Sequence, residues 1–157
     1  MSTPAHAERL DGGYGRSNAG RWNRVGELVT YAATVPSMCV LEKLVHVEDV
    51  DLFPNELRLV ELAVPDDLAE TVLEEPDLLP PGWWRAIGVT QALGSAWHAA
   101  RATPLLRAPS VVARSREPAD RNVVVNHLHP RAAEIRVTAI ELFELDLRLL
   151  TRPRASP

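Results

Sequence analysis

Residues 20–42 read GRWNRVGELVTYAATVPSMCVLE, and the fold turns on how this stretch is parsed. It opens on a polar loop around Gly20, where a missing side chain permits close backbone approach. Residues 28–33 are β-branched and aromatic and predict a strand. Pro36 and Ser37 then suit a helix start, and a helix is expected from Ser37 to about Val47. Its apolar positions Val40, Leu41, Leu44 and Val45 share one stripe, which predicts the buried face. Glu42 lies beside that stripe.

Working outward, residues 1–20 are polar and Gly-rich and end in a loop whose glycines permit positive φ. Residues 57–64 read as a second strand. Residues 74–82 are acidic and Pro-rich, as in an exposed loop. A helix is expected over 83–101, with Ile87, Leu93 and Trp97 as core contacts and Pro104 beyond its end. Short strands are expected at 105–107, 111–113 and 122–125, and the last strands at 135–142 and 145–149. In the final one Leu145, Leu147 and Leu149 alternate with Asp146 and Arg148, the pattern of a half-buried strand. Trp22, Trp83, Trp84 and Trp97 read as core, and Cys39 as a core-facing helix residue. Strands outnumber helices without regular βαβ alternation, so the expected class is α+β, with antiparallel or mixed sheets and a few helices.

The 157 residues fit one domain, with its core over about 10–150 and a frayed tail at 152–157. The formal net charge of −4 argues against a surface that coats nucleic acid. Cys39 is the only cysteine, so no internal disulfide forms and a cytoplasmic setting is expected. No apolar run approaches the roughly 20 residues of a membrane span, and residues 1–9 lack an apolar signal-peptide core. The His127-Leu128-His129 spacing superficially resembles a metal motif. His46 and His98 are distant, however, and there is no zinc-like Cys/His pattern, so no metal is expected.

Residues 20–42 resemble the signature of the RES family: a Gly-Arg-Trp-Asn loop, a strand carrying Tyr, and a helix carrying Glu. Later segments agree in order: Trp97 after the 90–94 stretch, APS at 108–110, RNVVVNHLHP at 121–130 and FELDLRL at 143–149. The resemblance spans about residues 10–149. It implies an ADP-ribosyltransferase-like fold and degradation of NAD by hydrolysis or phosphorolysis. NAD is then substrate rather than cofactor, with inorganic phosphate as the alternative acceptor to water. It also implies a toxin neutralised by a co-encoded antitoxin, in a hetero-oligomer built on a toxin pair. Family members usually carry a further strand with an Arg before the Gly-rich loop. Arg9 and Arg16 do not sit in that pattern.

Carried over residue by residue, the resemblance names Arg21, Tyr31, Glu42 and Ser110 as catalytic, and Gly20, Trp22, Asn23 and Asn126 as substrate-binding. The chemistry is coherent. A guanidinium fork at Arg21 fits pyrophosphate oxygens. Tyr31 offers a face to the cationic nicotinamide. Glu42 is a carboxylate for the positive charge that builds on ribose as the glycosidic bond breaks. Ser110 either binds phosphate or orients Glu42; with no Gly-x-Ser-x-Gly elbow and no evident base, it is not read as a nucleophile. Each residue also has a plainer reading: an ion pair for Arg21, a half-buried sheet residue for Tyr31, a solvated helix charge for Glu42, a turn for Ser110. Two other functions fit the same residues. One is an ADP-ribosyltransferase acting on a macromolecule; the other is a binding subunit with weak catalysis.

Overall fold

The computed structural model describes residues 1–46, 56–73, 78–113 and 120–149. Its elements are helix α1 (Gly13–Ser17), strand β1 (Val29–Ala33), helix α2 (Pro36–Leu44), strands β2 (Leu57–Ala63) and β3 (Glu70–Val72), helix α3 (Ile87–Ala100), and strands β4 (Leu105–Pro109), β5 (Arg121–Asn126) and β6 (Arg136–Phe143). Four strands form a mixed sheet in the order β1-β5-β4-β3, antiparallel except for the β3/β4 pair. β2 and β6 form a separate antiparallel ribbon. This is the α+β class expected from the sequence.

β5 is central in the larger sheet, which explains its nearly unbroken valines: both its faces are covered. On one face Val29 and Tyr31 of β1, Val124 of β5, and Leu106 and Ala108 of β4 pack with Trp22, Trp83 and Trp97. On the other, Leu105 and Val125 meet Leu68, Ala132 and Ile135, with Leu62 of the ribbon packed against them. The tryptophans are core residues, as expected; Trp84 is partly buried at the margin of the cluster.

Strands 28–33, 57–64 and 122–125 appear within a residue or two of their expected bounds. Several other expectations are corrected. From sequence, residues 1–20 carry no regular element. They contain a 3-10 turn at Pro4–His6 and the short α1. Gly12 takes φ +73°, and the Gly13 amide donates to Asp11 Oδ1 at 2.9 Å. Gly15 then presses against β1 so closely that a Cβ would overlap the Glu27 carbonyl oxygen. Tertiary packing therefore forms a helix from residues of poor intrinsic propensity.

In α2 only part of the apolar stripe turns inward, with Val40 and Leu44 half-buried. Met38 is the fully buried residue, whereas Leu41 and Val45 are exposed. Met38 and Glu42 are one turn apart, so the buried face carries Glu42 inward with it. Val47 lies outside the described residues.

The expected loop at 74–82 hides a core contact: Leu79 is buried in the tryptophan cluster, while 74–77 lie outside the described residues. The helix expected over 83–101 is a 3-10 turn at Trp83–Arg85 followed by α3. It ends at Arg101 with φ +51°, and Ile87 is 51% exposed rather than core.

No strand forms at 111–113, because the Val112 and Ala113 amides donate to Ser110 Oγ, at 3.0 and 3.1 Å, instead of to a neighbouring strand. Residues 145–149 are also not a strand. Asp146 caps a 3-10 turn (Leu147–Leu149) by accepting from the Arg148 amide at 3.0 Å, and Leu149 is exposed. The alternation that suggested a strand is local turn chemistry. The tail at 152–157 lies outside the described residues. No helix among those described is long and apolar enough to cross a membrane.

Candidate functional site

The site assembles where α2 crosses one end of the larger sheet. Asn122 is flanked in register by Ala33 on β1 and Ala108 on β4. Directly paired residues share a sheet face, so the two methyl-only neighbours leave room above Asn122, and Glu42 reaches into it from α2. Glu42 Oε1 accepts two short hydrogen bonds, from Asn122 Nδ2 at 2.7 Å and from Ser110 Oγ at 2.7 Å. Among the described residues Oε2 has no partner. The clamp therefore falls on one carboxylate oxygen alone.

Ser110 is 1% exposed, and its hydroxyl is saturated. It donates to Glu42 and accepts from the Val112 and Ala113 amides. Of the two roles open from sequence, phosphate binding or orientation of Glu42, this geometry provides the second. Ser110 has no free proton or lone pair with which to act as nucleophile.

Arg21, Tyr31, Glu42 and Asn122 all border one broad, open cleft, which also runs past Gly20 and Gln91 and on to Asp11 and Glu61. Among the described residues no carboxylate lies within ion-pair distance of Arg21. Among these residues its one side-chain hydrogen bond donates Nη1 to the Trp84 carbonyl at 3.3 Å. Four guanidinium N–H donors remain, and the ion-pair reading of Arg21 has no partner on the described surface.

Tyr31 is held from both sides. Its hydroxyl accepts from the Trp22 amide and donates to Asn23 Oδ1, each at 2.9 Å. Burial pushes its phenol well above its ordinary value, against the opposing effect of the Trp22 amide. A Cβ on Gly20 would lie 2.6 Å from the Tyr31 hydroxyl, so glycine is required for the loop to close over it. Tyr14 of α1 meets the Tyr31 ring edge-on, with centroids 6.1 Å apart.

Three expected substrate ligands have other work. Asn23 is fully buried, and its amide bridges the Asn18 and Arg24 carbonyls. Trp22 is buried against Trp83, with ring centroids 5.8 Å apart. Asn126 is fully buried too; it donates to the His98 carbonyl at 2.9 Å and accepts from the Leu128 amide at 3.0 Å. Asn126 therefore fastens β5 to α3 and does not line the cleft. His127 bonds Thr30 Oγ1 at 2.9 Å, and His129 Nδ1 accepts from the Arg131 amide at 3.1 Å, so both histidines serve structure.

Asn122 was not picked out from sequence. It and Asn126 sit four residues apart on one strand and so share a face, and nothing local distinguishes them. What separates them is the element each meets: α2 for one, α3 for the other.

The site thus joins a carboxylate clamped by serine and asparagine to a cleft bordered by an arginine that has no carboxylate partner among the described residues. The RES domain family model matches residues 3–147. The chain belongs to the RES-domain family. Its similarity to two curated members runs nearly end to end. A Sphingobium protein named Prs ADP-ribosylating toxin is 34% identical over 149 residues, covering 93% of this chain and 89% of that protein. A Pseudomonas putida protein named Toxin Res is 35% identical over 141 residues, 89% and 92% of the two chains. A third, Toxin Res of Photorhabdus laumondii, is 31% identical over 109 residues, covering 68% and 65%. The ADP-ribosyltransferase-like α+β fold expected from the resemblance accords with this membership.

Proposed function

We propose that this RES domain is a toxin that cleaves the nicotinamide–ribose bond of NAD, with water or inorganic phosphate as acceptor. The observation that carries the reading is the Glu42 carboxylate, clamped through Oε1 by Ser110 and Asn122 and open at Oε2. As the bond breaks, its electron pair leaves with the nicotinamide nitrogen and neutralises the ring. Positive charge then develops on the ribose C1′ and its ring oxygen, and a carboxylate already fixed in place stabilises it without reorganising. An oxygen of water or phosphate closes on C1′, and its proton passes to solvent.

Arg21 holds the pyrophosphate through its free N–H donors. The Tyr31 ring bounds the pocket for the nicotinamide. Gly20 lets the loop approach closely. Ser110 and Asn122 act through Glu42 as positioning residues. NAD enters as substrate, and no separate cofactor takes part.

Such an enzyme is lethal to its own cell unless restrained. A co-encoded antitoxin fits as partner, with the complex built on a toxin pair. A partner carboxylate set against Arg21 would exclude NAD by direct competition, and any DNA contact would belong to the antitoxin.

The second reading is transfer of ADP-ribose to a macromolecule; the printed name of the Sphingobium relative favours it. One experiment separates the two. Purified protein is incubated with adenine-labelled NAD, with and without phosphate, and with cell extract. Nicotinamide release with only small labelled products supports cleavage. Label retained on protein supports transfer. No release under any condition overturns both.

A further inference from the structure

The cleft wall around Arg21 rests on α3, a helix that carries no residue of the proposed chemistry. Gln91 Nε2 donates to the Gly20 carbonyl at 3.0 Å, across 71 residues of sequence. That carbonyl belongs to the same rigid peptide plane as the Arg21 amide. Fixing its direction limits the rotation of the plane and hence the direction of the Arg21 Cα–Cβ bond.

One turn further along, Gly94 receives the Trp22–Asn23 peptide, on the far side of Arg21. A Cβ there would overlap the Trp22 carbonyl oxygen and lie 2.6 Å from its carbonyl carbon. The other end of Arg21 is tied to the same unit. Its Nη1 donates to the carbonyl of Trp84, in the 3-10 turn just before α3. Gln91 and Gly94 are three residues apart and share a helix face. Both ends of Arg21 are therefore referred to one rigid piece, while Glu42 is referred to the sheet through Asn122.

We propose that Gln91 is a positioning residue for Arg21. By holding the Gly20–Arg21 peptide it aims the guanidinium into the cleft, and α3 with its preceding turn braces the anion-binding arginine. This rests on the reading of Arg21 as a pyrophosphate ligand. It assigns a role to the 90–94 stretch that the catalytic residues leave without one.

The test measures ADP-ribose binding by titration calorimetry, which requires no turnover, in a double-mutant cycle of Gln91→Met and Arg21→Ala. Methionine keeps the length of glutamine and removes the donor. Gln91→Met is expected to weaken ADP-ribose roughly five- to tenfold, the range of one lost hydrogen bond, with the thermal midpoint held within a few degrees. In the Arg21→Ala background the same change is expected to have almost no effect, because nothing remains to be aimed. For NAD turnover the Gln91→Met effect falls on KM and spares kcat.

Equal weakening in both backgrounds would mean that Gln91 acts on the fold or on the ligand directly, and overturns the brace while leaving Arg21 as phosphate ligand. Unchanged affinity in the single variant overturns the brace alone. Failure of the unmutated protein to bind ADP-ribose overturns the brace and the reading of Arg21 together.

Discussion

Ser110 Oγ stands 2.7 Å from Glu42 Oε1 although 68 residues separate them, and the same hydroxyl accepts the Val112 and Ala113 amides. Serine at this point both stops β4 from continuing and presents a proton to the carboxylate. Removing the hydroxyl should therefore be felt twice. Ser110→Ala is expected to lower kcat for nicotinamide release about tenfold, the effect of one hydrogen bond lost near the transition state. It should also cost about 1–3 kcal/mol of stability, because two amides lose their acceptor. Initial rates and urea unfolding read the two effects separately. Glu42→Gln, which keeps the shape but not the charge, should lower kcat roughly 10²–10³-fold with KM little changed.

Asn122 meets the same oxygen as a neutral donor. Asn122→Asp replaces that donor with a second carboxylate at hydrogen-bond distance. Two carboxylates this close do not both ionise readily. The kcat for nicotinamide release should fall by about tenfold or more, because the neutral donor is lost and a like charge takes its place. Asn122→Ala should lower kcat by less, since it removes the donor without adding a charge. Equal rates in the aspartate, alanine and unmutated proteins would show that Asn122 does not position Glu42.

Two glycines of α3 make a matched pair. A Cβ on Gly94 would overlap the Trp22 carbonyl, whereas a Cβ on Gly88 meets nothing within 4 Å. Gly94→Ala is expected to destabilise by about 1–3 kcal/mol or more and to weaken substrate binding, since the Arg21 loop must shift. Gly88→Ala should be neutral or stabilising by up to about 1 kcal/mol from helix propensity. Thermal melts of the two variants, made in parallel, check the contrast.

His127 gives the stability a pH dependence of known sign. Burial lowers its pKa below the ordinary histidine value, against the opposing pull of Asp11. The unfolded chain therefore takes up this proton at a higher pH than the folded one. The contribution is intact above the unfolded value, near 6.5, and is lost as pH falls from there through the folded value. Urea midpoints measured from pH 8 to pH 5 should fall. The decline should be shallower in His127→Gln, whose amide can still meet Thr30 Oγ1. An equal decline in both proteins would assign the acid sensitivity to other groups.

Residues 20–42 by themselves determined much of this molecule. The β-branched run of 28–33 dictates a strand wherever it is placed, and Pro36 dictates the start of the helix after it. The ordered Arg, Tyr, Glu and Ser motifs marked the family. These features are local, or are carried by residue identity alone, and both are fully written in the chain. Tertiary structure decided what depended on partners distant in sequence. The face that α2 buries was set by Met38 and Glu42 meeting the sheet, not by the apolar stripe of Leu41 and Val45. The choice between Asn122 and Asn126 was made by Ala33 and Ala108 leaving space beside one of them, and by the His98 carbonyl claiming the other. Ser110 became a holder of Glu42 because strand register places the end of β4 under α2. A hydrogen bond needs its two groups within about 3 Å, and a linear pattern specifies no such distance between residues 68 or 80 positions apart.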